Sequence, residues 1–427
     1  MASAPYQVKK FYFLEYFYIL LKSIEKHARE QDALDMFKLL RETHSLGDSK
    51  YKRLTSSEEE QSSRQVKLLY YTFKQVAAEA LEYRLIDFDE KNGKYSLSMK
   101  GKELLSHYEE GNSYEFNKKL FPLMEEKFKA FYEIINFCYE QNKNKSGLLV
   151  FPLYSPIKLD FKKSEIKTTK DILDYSRALQ KKLEQDIEEF IGKSIDLTQY
   201  NDELIQNLKK ACLLPQDESG KFAPDKYNSM IIRFRKFWLK TFLNQIYGYK
   251  SGFPSFDIWT YRGKQIGALH VTEFYPGFSG RIVYPTSVIV DHETNGDFEK
   301  LFDYANGYSL YIHSPSWADP ENQDKFVDAL LDAYFSSRKT NRSYFVGLPD
   351  IRELVCYKMR ISQHLFNVFL EKAYLLNLKG ELKVKISLEA DKLPHETNAM
   401  YLKREPVMVN AKYRNIIAID IAERRNQ

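Results

Sequence analysis

Three features of the 427-residue sequence predict a mainly helical α+β fold. Apolar residues recur at helical spacing as far as Tyr249, as in Val66, Leu69, Tyr70, Phe73, Val76, Ala77 and Leu81. From Gly252 the texture changes to runs of aromatic and β-branched residues broken by glycine and proline. Residues 349–388 then read as two short helices, a tight turn and an alternating strand. Together they predict a helix–helix–hairpin unit near each end, a helical middle and a small antiparallel β region.

A chain this long is expected to form two to four domains. The pattern divides it into an N-terminal helical domain (1–113), a helical middle (114–250), a small β-rich domain (251–320) and a C-terminal domain (321–427). Hydrophobic content of 43% and aromatic content of 15% suffice for packed cores and exclude wholesale disorder. The three cysteines, Cys138, Cys212 and Cys356, stand far apart with no C-x-x-C pair. That argues against a disulfide framework or a thiolate zinc site and favours a reducing, cytoplasmic setting.

The N-terminus opens with Lys9-Lys10 and an apolar run, Phe11–Leu21, which Glu15 interrupts. No small-residue cleavage site follows, and the run is too short to span a bilayer, so a buried aromatic helix over about 8–29 is expected and no membrane partner. A second helix covers 31–44, and the polar stretch Gly47–Ser63 is expected to be a loop. Residues 65–84 form one long helix or two. The strands 85–88 and 94–98 flank Asn92-Gly93, whose tolerance of positive φ suits a hairpin. Lys100-Gly101-Lys102-Glu103 starts a closing helix.

In the middle, Phe116–Gln141 is amphipathic. Asp171–Glu189 carries a stripe of Ile172, Leu173, Leu179, Leu183 and Ile187, too short for a long coiled coil and expected to pack as an antiparallel pair. Pro152, Pro156 and the lysines from Lys158 to Lys170 mark a loop before it. Tyr227–Tyr249 is a further helix, with Arg233, Arg235, Lys236 and Lys240 set among Ile232, Phe234, Phe237 and Trp238. Beyond it, Ile258–Tyr261, Gln265–Thr272 and Arg281–Val290 have strand composition, predicting a small sheet over 255–315. Helix resumes at 320–337.

In the C-terminal domain, Pro349–Met359 forms one helix and Ser362 caps a second, from Gln363 to about Asn377. Leu365, Phe366, Phe369, Leu370 and Ala373 share its inner face, Gly380 stops it, and Leu382–Leu388 alternates as a strand. That order, over 326–421, resembles a winged helix-turn-helix, and such a fold implies a nucleic-acid partner. The string Leu85–Leu105, with Leu97-Ser98-x-x-Gly101-Lys102 leaving the second strand, resembles the wing of MarR- and PadR-like regulators. It implies a second winged helix at 64–110.

Charge placement agrees. From Phe326 to Gln427 there are 17 Lys/Arg against 12 Asp/Glu, a surplus of 5 that equals the whole chain's net charge. Such asymmetry is the electrostatic footprint a phosphate backbone requires. With the apolar face of the second helix inward, Gln363, His364, Asn367 and Lys372 lie on or near its outer face, where Gln and Asn could pair with adenine. Lys379, Lys383 and Lys385 on the wing, with Arg338, Lys339 and Arg342 ahead of the motif, suit phosphate contacts. The stretch 391–409 makes an oversized wing loop. Lys403, Arg404, Lys412 and Arg414 sit at its base, and residues 412–421 form the returning strand. The loop is expected to reach along DNA or order on a partner.

Catalytic signatures are sparse. Asp350 and Glu381-Leu382-Lys383 formally make a P-D…E-x-K nuclease set, but Asp350 opens a helix, where it would stabilise the positive end. Gly192-Lys193-Ser194 lacks the leading glycine of a phosphate loop and reads as a helix terminus. His270, His292 and His313 fall in the β region without metal-ligand spacing. The expectation is a non-enzymatic protein with no cofactor that binds double-stranded DNA. It would serve as a subunit or scaffold of a larger bacterial assembly such as replication, mobile-element or antiphage-defence machinery, with protein partners and homodimerisation both compatible. The alternatives are a protein–protein adaptor and a metal-dependent nuclease.

Overall fold

The computed structural model describes residues 8–43, 58–109, 113–141, 147–152, 166–192, 194–215, 220–294, 296–314, 317, 319–341, 343–391, 393, 404–405, 407–410 and 412–421. The protein is mainly helical α+β with small antiparallel sheets. It divides into two compact units. One comprises Met1–Asn136, Pro254–His270 and Tyr284–Gln427, the other Phe137–Phe253 and Val271–Val283.

The larger unit begins with α1 (Glu15–Lys26), α2 (Glu30–Thr43) and α3 (Glu58–Glu82). α1 is shorter than expected and is buried along most of its length from Tyr16 to Ile24, which explains its aromatic composition. Residues 58–63, expected in a loop, are the first turns of α3; residues 47–57 lie outside the described residues. Strands β1 (Ile86–Asp89) and β2 (Lys94–Leu97) pair antiparallel, Ile86 opposite Leu97 and Asp89 opposite Lys94. The Asp89 carboxylate accepts from the backbone amides of Lys91 and Asn92, and Gly93 has φ +61°. A four-residue loop rather than a two-residue turn therefore closes the hairpin.

α4 (Met99–Glu109) follows at once, and the run leading into it has a steric cause. The Ser98 hydroxyl donates to the Arg84 carbonyl and accepts from the Gly101 amide at 3.0 Å. A Cβ on Gly101 would meet the Leu85 carbonyl oxygen at 2.1 Å, so only glycine lets the helix start lie against the strand. α5 (Ser113–Phe128) and α6 (Ala130–Gln141) come next, and the unit boundary falls inside α6.

Residues 258–261 and the start of the 265–272 run, expected as strand, belong to α10 (Phe253–Ile266), for reasons of tertiary packing. The helix buries Phe256, Ile258, Trp259, Thr260, Arg262 and Ile266 on several sides, so the alternation that signals a half-exposed strand has no meaning there. Arg262-Gly263-Lys264, between those two runs, continues the helix into its last turn. The Gln265 amide accepts the Leu14 N–H and donates to the Tyr12 carbonyl, tying α10 to the chain's start. The β region proper consists of β4 (Leu269–Thr272), β5 (Gly280–Pro285), β6 (Ser287–Val290), β7 (Phe298–Asp303) and β8 (Ser309–His313). It makes two sheets rather than one, because the Arg281–Val290 run breaks at Thr286 into β5 and β6. β6, β8 and β7 form one antiparallel sheet in that order, and β5 lies between β3 (Leu149–Pro152) and β4 in the other.

The C-terminal elements are α11 (Pro320–Asn341), β9 (Val346–Gly347), α12 (Leu348–Met359), α13 (Gln363–Leu378), β10 (Val384–Glu389), β11 (Val407–Val409), β12 (Lys412–Arg414) and β13 (Ile416–Ile421). The expected returning strand is two strands: β12 pairs with β11, and β13 pairs with β10. The sheet order is β10-β13-β9. One continuous core joins it to the three helices through Phe326, Leu330, Tyr334, Ile351, Val355, Phe366, Phe369, Leu370, Ile386 and Ile417.

The smaller unit holds β3 (Leu149–Pro152), α7 (Thr169–Ile191), α8 (Asn201–Lys210), α9 (Tyr227–Thr241) and a π-helical turn, Phe242–Ile246. Thr168 and Asp171 cap α7 reciprocally, and Gly192 in the left-handed region ends it. Ile172, Leu179, Leu183 and Ile187 of the expected stripe are buried, and Gln180 bonds Leu197 and Asn201. Residues 153–165, most of the expected preceding loop, lie outside the described residues. β3 pairs antiparallel with β5, Leu149 opposite Val283.

Candidate nucleic-acid interface

Local chemistry fixes the two C-terminal helices. Pro349 occupies the first turn of α12, where its missing N–H costs nothing, and Arg360 at φ 57° ends it. Two residues later the Ser362 hydroxyl accepts from the Leu365 amide and opens α13. Leu365, Phe366, Phe369, Leu370 and Ala373 are all buried. β10 alternates as its sequence does: Val384, Ile386 and Leu388 point inward, Lys385, Ser387 and Glu389 outward.

The outer face of α13 is less open than its sequence implies. His364 is half-buried, its ring stacked on Tyr114 with centroids 3.8 Å apart. Burial pushes the imidazole down to about 4, so it is neutral at pH 7. Gln363 is half-buried and donates to the Glu405 carboxylate at 3.3 Å. Asn367 has its amide oxygen buried with no hydrogen-bond partner among the described residues. Lys372 is half-buried. The helix start thus faces its own chain, at Tyr114 and Glu405.

The cations expected to meet phosphate fall into two sets. Lys379, Lys383, Lys385, Lys412, Arg338 and Lys339 are exposed, with the Arg338 guanidinium over the Tyr344 ring. Arg414 is half-buried and donates to the Leu388 carbonyl. Arg404, in contrast, is 6% exposed and forms an ion pair with Asp350. Its charge is neutralised inside the fold, because the loop's described end folds back on α12 instead of reaching away. Arg342 and Lys403 lie outside the described residues.

A buried ionic cluster that sequence reasoning missed holds this loop end. The Arg352 guanidinium donates to the carbonyls of Glu405 at 2.6 Å and Arg404 at 3.0 Å, and to the Glu353 carboxylate at 2.9 Å. Glu353 also meets His270 Nε2 at 2.7 Å, and Lys264 reaches the Glu405 carboxylate at 3.1 Å. Burial alone would raise the Glu353 carboxyl; the attraction of His270 and Arg352, through the His270 hydrogen bond and the guanidinium charge, outweighs it and holds the group below its ordinary value. Burial pushes the His270 imidazole down against the pull of Glu353. A neutral His270 donating from Nε2 leaves Nδ1 as a bare acceptor, and Nδ1 has no partner among the described residues. The partners stand 83 residues apart, a separation that no motif search spans.

The nuclease set does not come together as ligands. Asp350 is in the first turn of α12 and paired with Arg404, and Glu381 is exposed. Among the described residues no three His, Cys, Asp or Glu converge to hold a metal ion. The three histidines are dispersed: His313 sits between Phe298 and Trp317, and His292 is exposed. Among the described residues no helix is long and apolar enough to cross a membrane. Comparison with protein-family models, curated proteins and solved structures finds no match for this chain.

Proposed function

We propose that the chain is a non-enzymatic nucleic-acid-binding protein that grips the backbone of duplex DNA with its C-terminal wing. The observation that supports this reading is the order α11-β9-α12-α13-β10-β13 with sheet order β10-β13-β9, compatible with a winged helix, joined to a set of exposed cations. The N-terminal run of three helices and a hairpin supports a second unit of the same kind. With the start of α13 occupied by Tyr114 and Glu405, base reading from that turn would require these contacts to open. Phosphate contacts from Lys379, Lys383, Lys385 and Lys412 require no such opening, and they position a protein without reading sequence.

The test is fluorescence anisotropy with a labelled duplex in rising salt. Native protein should bind and lose affinity as salt increases, and Lys383→Glu/Lys385→Glu should weaken binding at least tenfold while flattening the salt slope. No binding at low salt, or binding indifferent to this change, removes the reading. A second reading, docking within a larger assembly, is favoured by Leu375 and Leu378, which α13 leaves 45% and 62% exposed. Leu375→Asp/Leu378→Asp would then lower recovery of partner subunits and leave DNA affinity unchanged.

A further inference from the structure

The smaller unit carries a cavity of about 460 Å³ between α8 and α9, within the range of small-molecule sites. Arg233, Lys236 and Lys240 line it from α9, at spacings of three and four residues that place them on one helix face. Over seven residues this row is about 10 Å long, at 1.5 Å per residue. Glu203 is the single carboxylate on the wall, so three cations face one anion. The Arg233 guanidinium donates to the Asn207 amide oxygen at 2.9 Å, a neutral partner that leaves its charge uncompensated. Among the described residues Lys236 and Lys240 have no ion pair.

Two further features distinguish this cleft from an ordinary solvated helix face. α9 runs into the π-helical turn Phe242–Ile246, closed by the Tyr247 amide on the Phe242 carbonyl at 2.9 Å. The wider turn brings Asn244 and Gln245 round to the cavity that Lys240 lines, and π turns occur frequently at functional sites. The Asn244 amide oxygen is buried with no hydrogen-bond partner among the described residues. A buried, unsatisfied acceptor costs stability unless a donor reaches it. Ile232, Leu213 and Phe237 add apolar wall.

We propose that this cleft binds a phosphate-bearing small molecule of nucleotide size, its phosphates along Arg233, Lys236 and Lys240 and a donor group against Asn244. A row of three cations suits a di- or triphosphate better than a single phosphate. The site lies apart in sequence from the C-terminal wing and does not depend on it.

Calorimetric titration of the full chain with ATP, AMP and adenosine at low salt tests it. Expected is saturable ATP binding at one site, weaker AMP binding and none for adenosine. Lys236→Glu/Lys240→Glu should weaken ATP at least tenfold, Asn244→Leu should weaken it with the cations intact, and Lys210→Glu, on α8 but outside the cavity, should change nothing. Both lysines are exposed, so folding is checked by circular dichroism and melting temperature. Four outcomes overturn the proposal: no saturable ATP binding by the native chain, full affinity in the folded double variant, equal weakening by Lys210→Glu, or binding confined to oligonucleotides. Lys383→Glu/Lys385→Glu should leave ATP binding unchanged, so failure here and failure of the wing reading are separable.

Discussion

Two populations of charge in the larger unit invite comparison. Around α10 and α12 ionic groups lie inside the core: Arg262 and Glu79 are both fully buried and bonded twice, at 2.7 and 2.9 Å, with Phe11 and Trp259 against the guanidinium. Just after α13 and along β10, Lys379, Lys383 and Lys385 stand in water. The inner charges have left their hydration and survive only through specific partners, so they fix how segments far apart in sequence meet. The outer charges keep their hydration, contribute little to folding, and remain available to a ligand. Burial thus separates the cations that hold the architecture together from those left accessible to solvent.

The largest test of that contrast is Glu79→Ala. It strands Arg262 in the core and also removes the acceptor of the Tyr83 hydroxyl, 2.6 Å away. Urea unfolding should show a loss of about 3–5 kcal/mol, the cost of leaving a buried charge uncompensated. Replacing both partners with apolar residues should recover much of it. A loss under ~1 kcal/mol would mean that the inner charges are no more structural than surface pairs.

Next in size is a pH effect. Burial holds His364 and His313 down to about 4 and lowers His270 as well, all from an unfolded value near 6.5. The unfolded chain therefore takes up protons below about pH 6.5 that the native protein refuses, so stability should fall from pH 7 to pH 5. The lowered carboxyls Glu353 and Glu405 act in a more acid window, below their ordinary value of 4.5, and do not contribute there. His364→Phe, which keeps a ring against Tyr114, should make the decline shallower; an unchanged slope would show that His364 titrates normally.

Smaller still is the stability effect of Lys383→Glu/Lys385→Glu, the pair whose loss should weaken DNA binding tenfold. Both side chains are exposed, so the unfolding midpoint should stay near that of the native protein. A marked shift would move these lysines from the outer population to the inner. At the bottom is the exposed pair Lys325–Glu321, one helical turn apart on α11. Lys325→Ala should change neither stability nor DNA affinity measurably.

The same divide separates what was legible in the sequence from what was not. The α12–α13 pair was legible because its signals are local: proline at the first turn, a serine cap, and apolar residues at helical spacing. Strand β10 was legible through its alternation, and the helix at Met99–Glu109 through the run Lys100–Glu103. The Ser98 cap and the close approach of Gly101 to Leu85 became visible only in the structure. The segment from Ile258 to Ile266 was not legible. Its aromatic and β-branched composition points to strand, yet Arg262 must reach Glu79, 183 residues away, and Gly263 must lie against Leu269, where a Cβ would come within 2.7 Å of the Leu269 side chain. Propensities of well under 1 kcal/mol per residue give way to such packing.

By itself, then, the sequence determined the mainly helical α+β class, the C-terminal helices and their inner face, and the location of the positive charge. Tertiary structure alone decided which charges are available. Arg404 turned inward to Asp350, His364 went under Tyr114, and Glu353 gathered His270 and Arg352. It also decided that the chain builds two discontinuous units, with Arg233, Lys236 and Lys240 lining a cavity. The physical reason is range. Caps, periodicity and turn preferences act over a few residues, whereas desolvation of a charge depends on every atom that surrounds it, whatever its place in the chain.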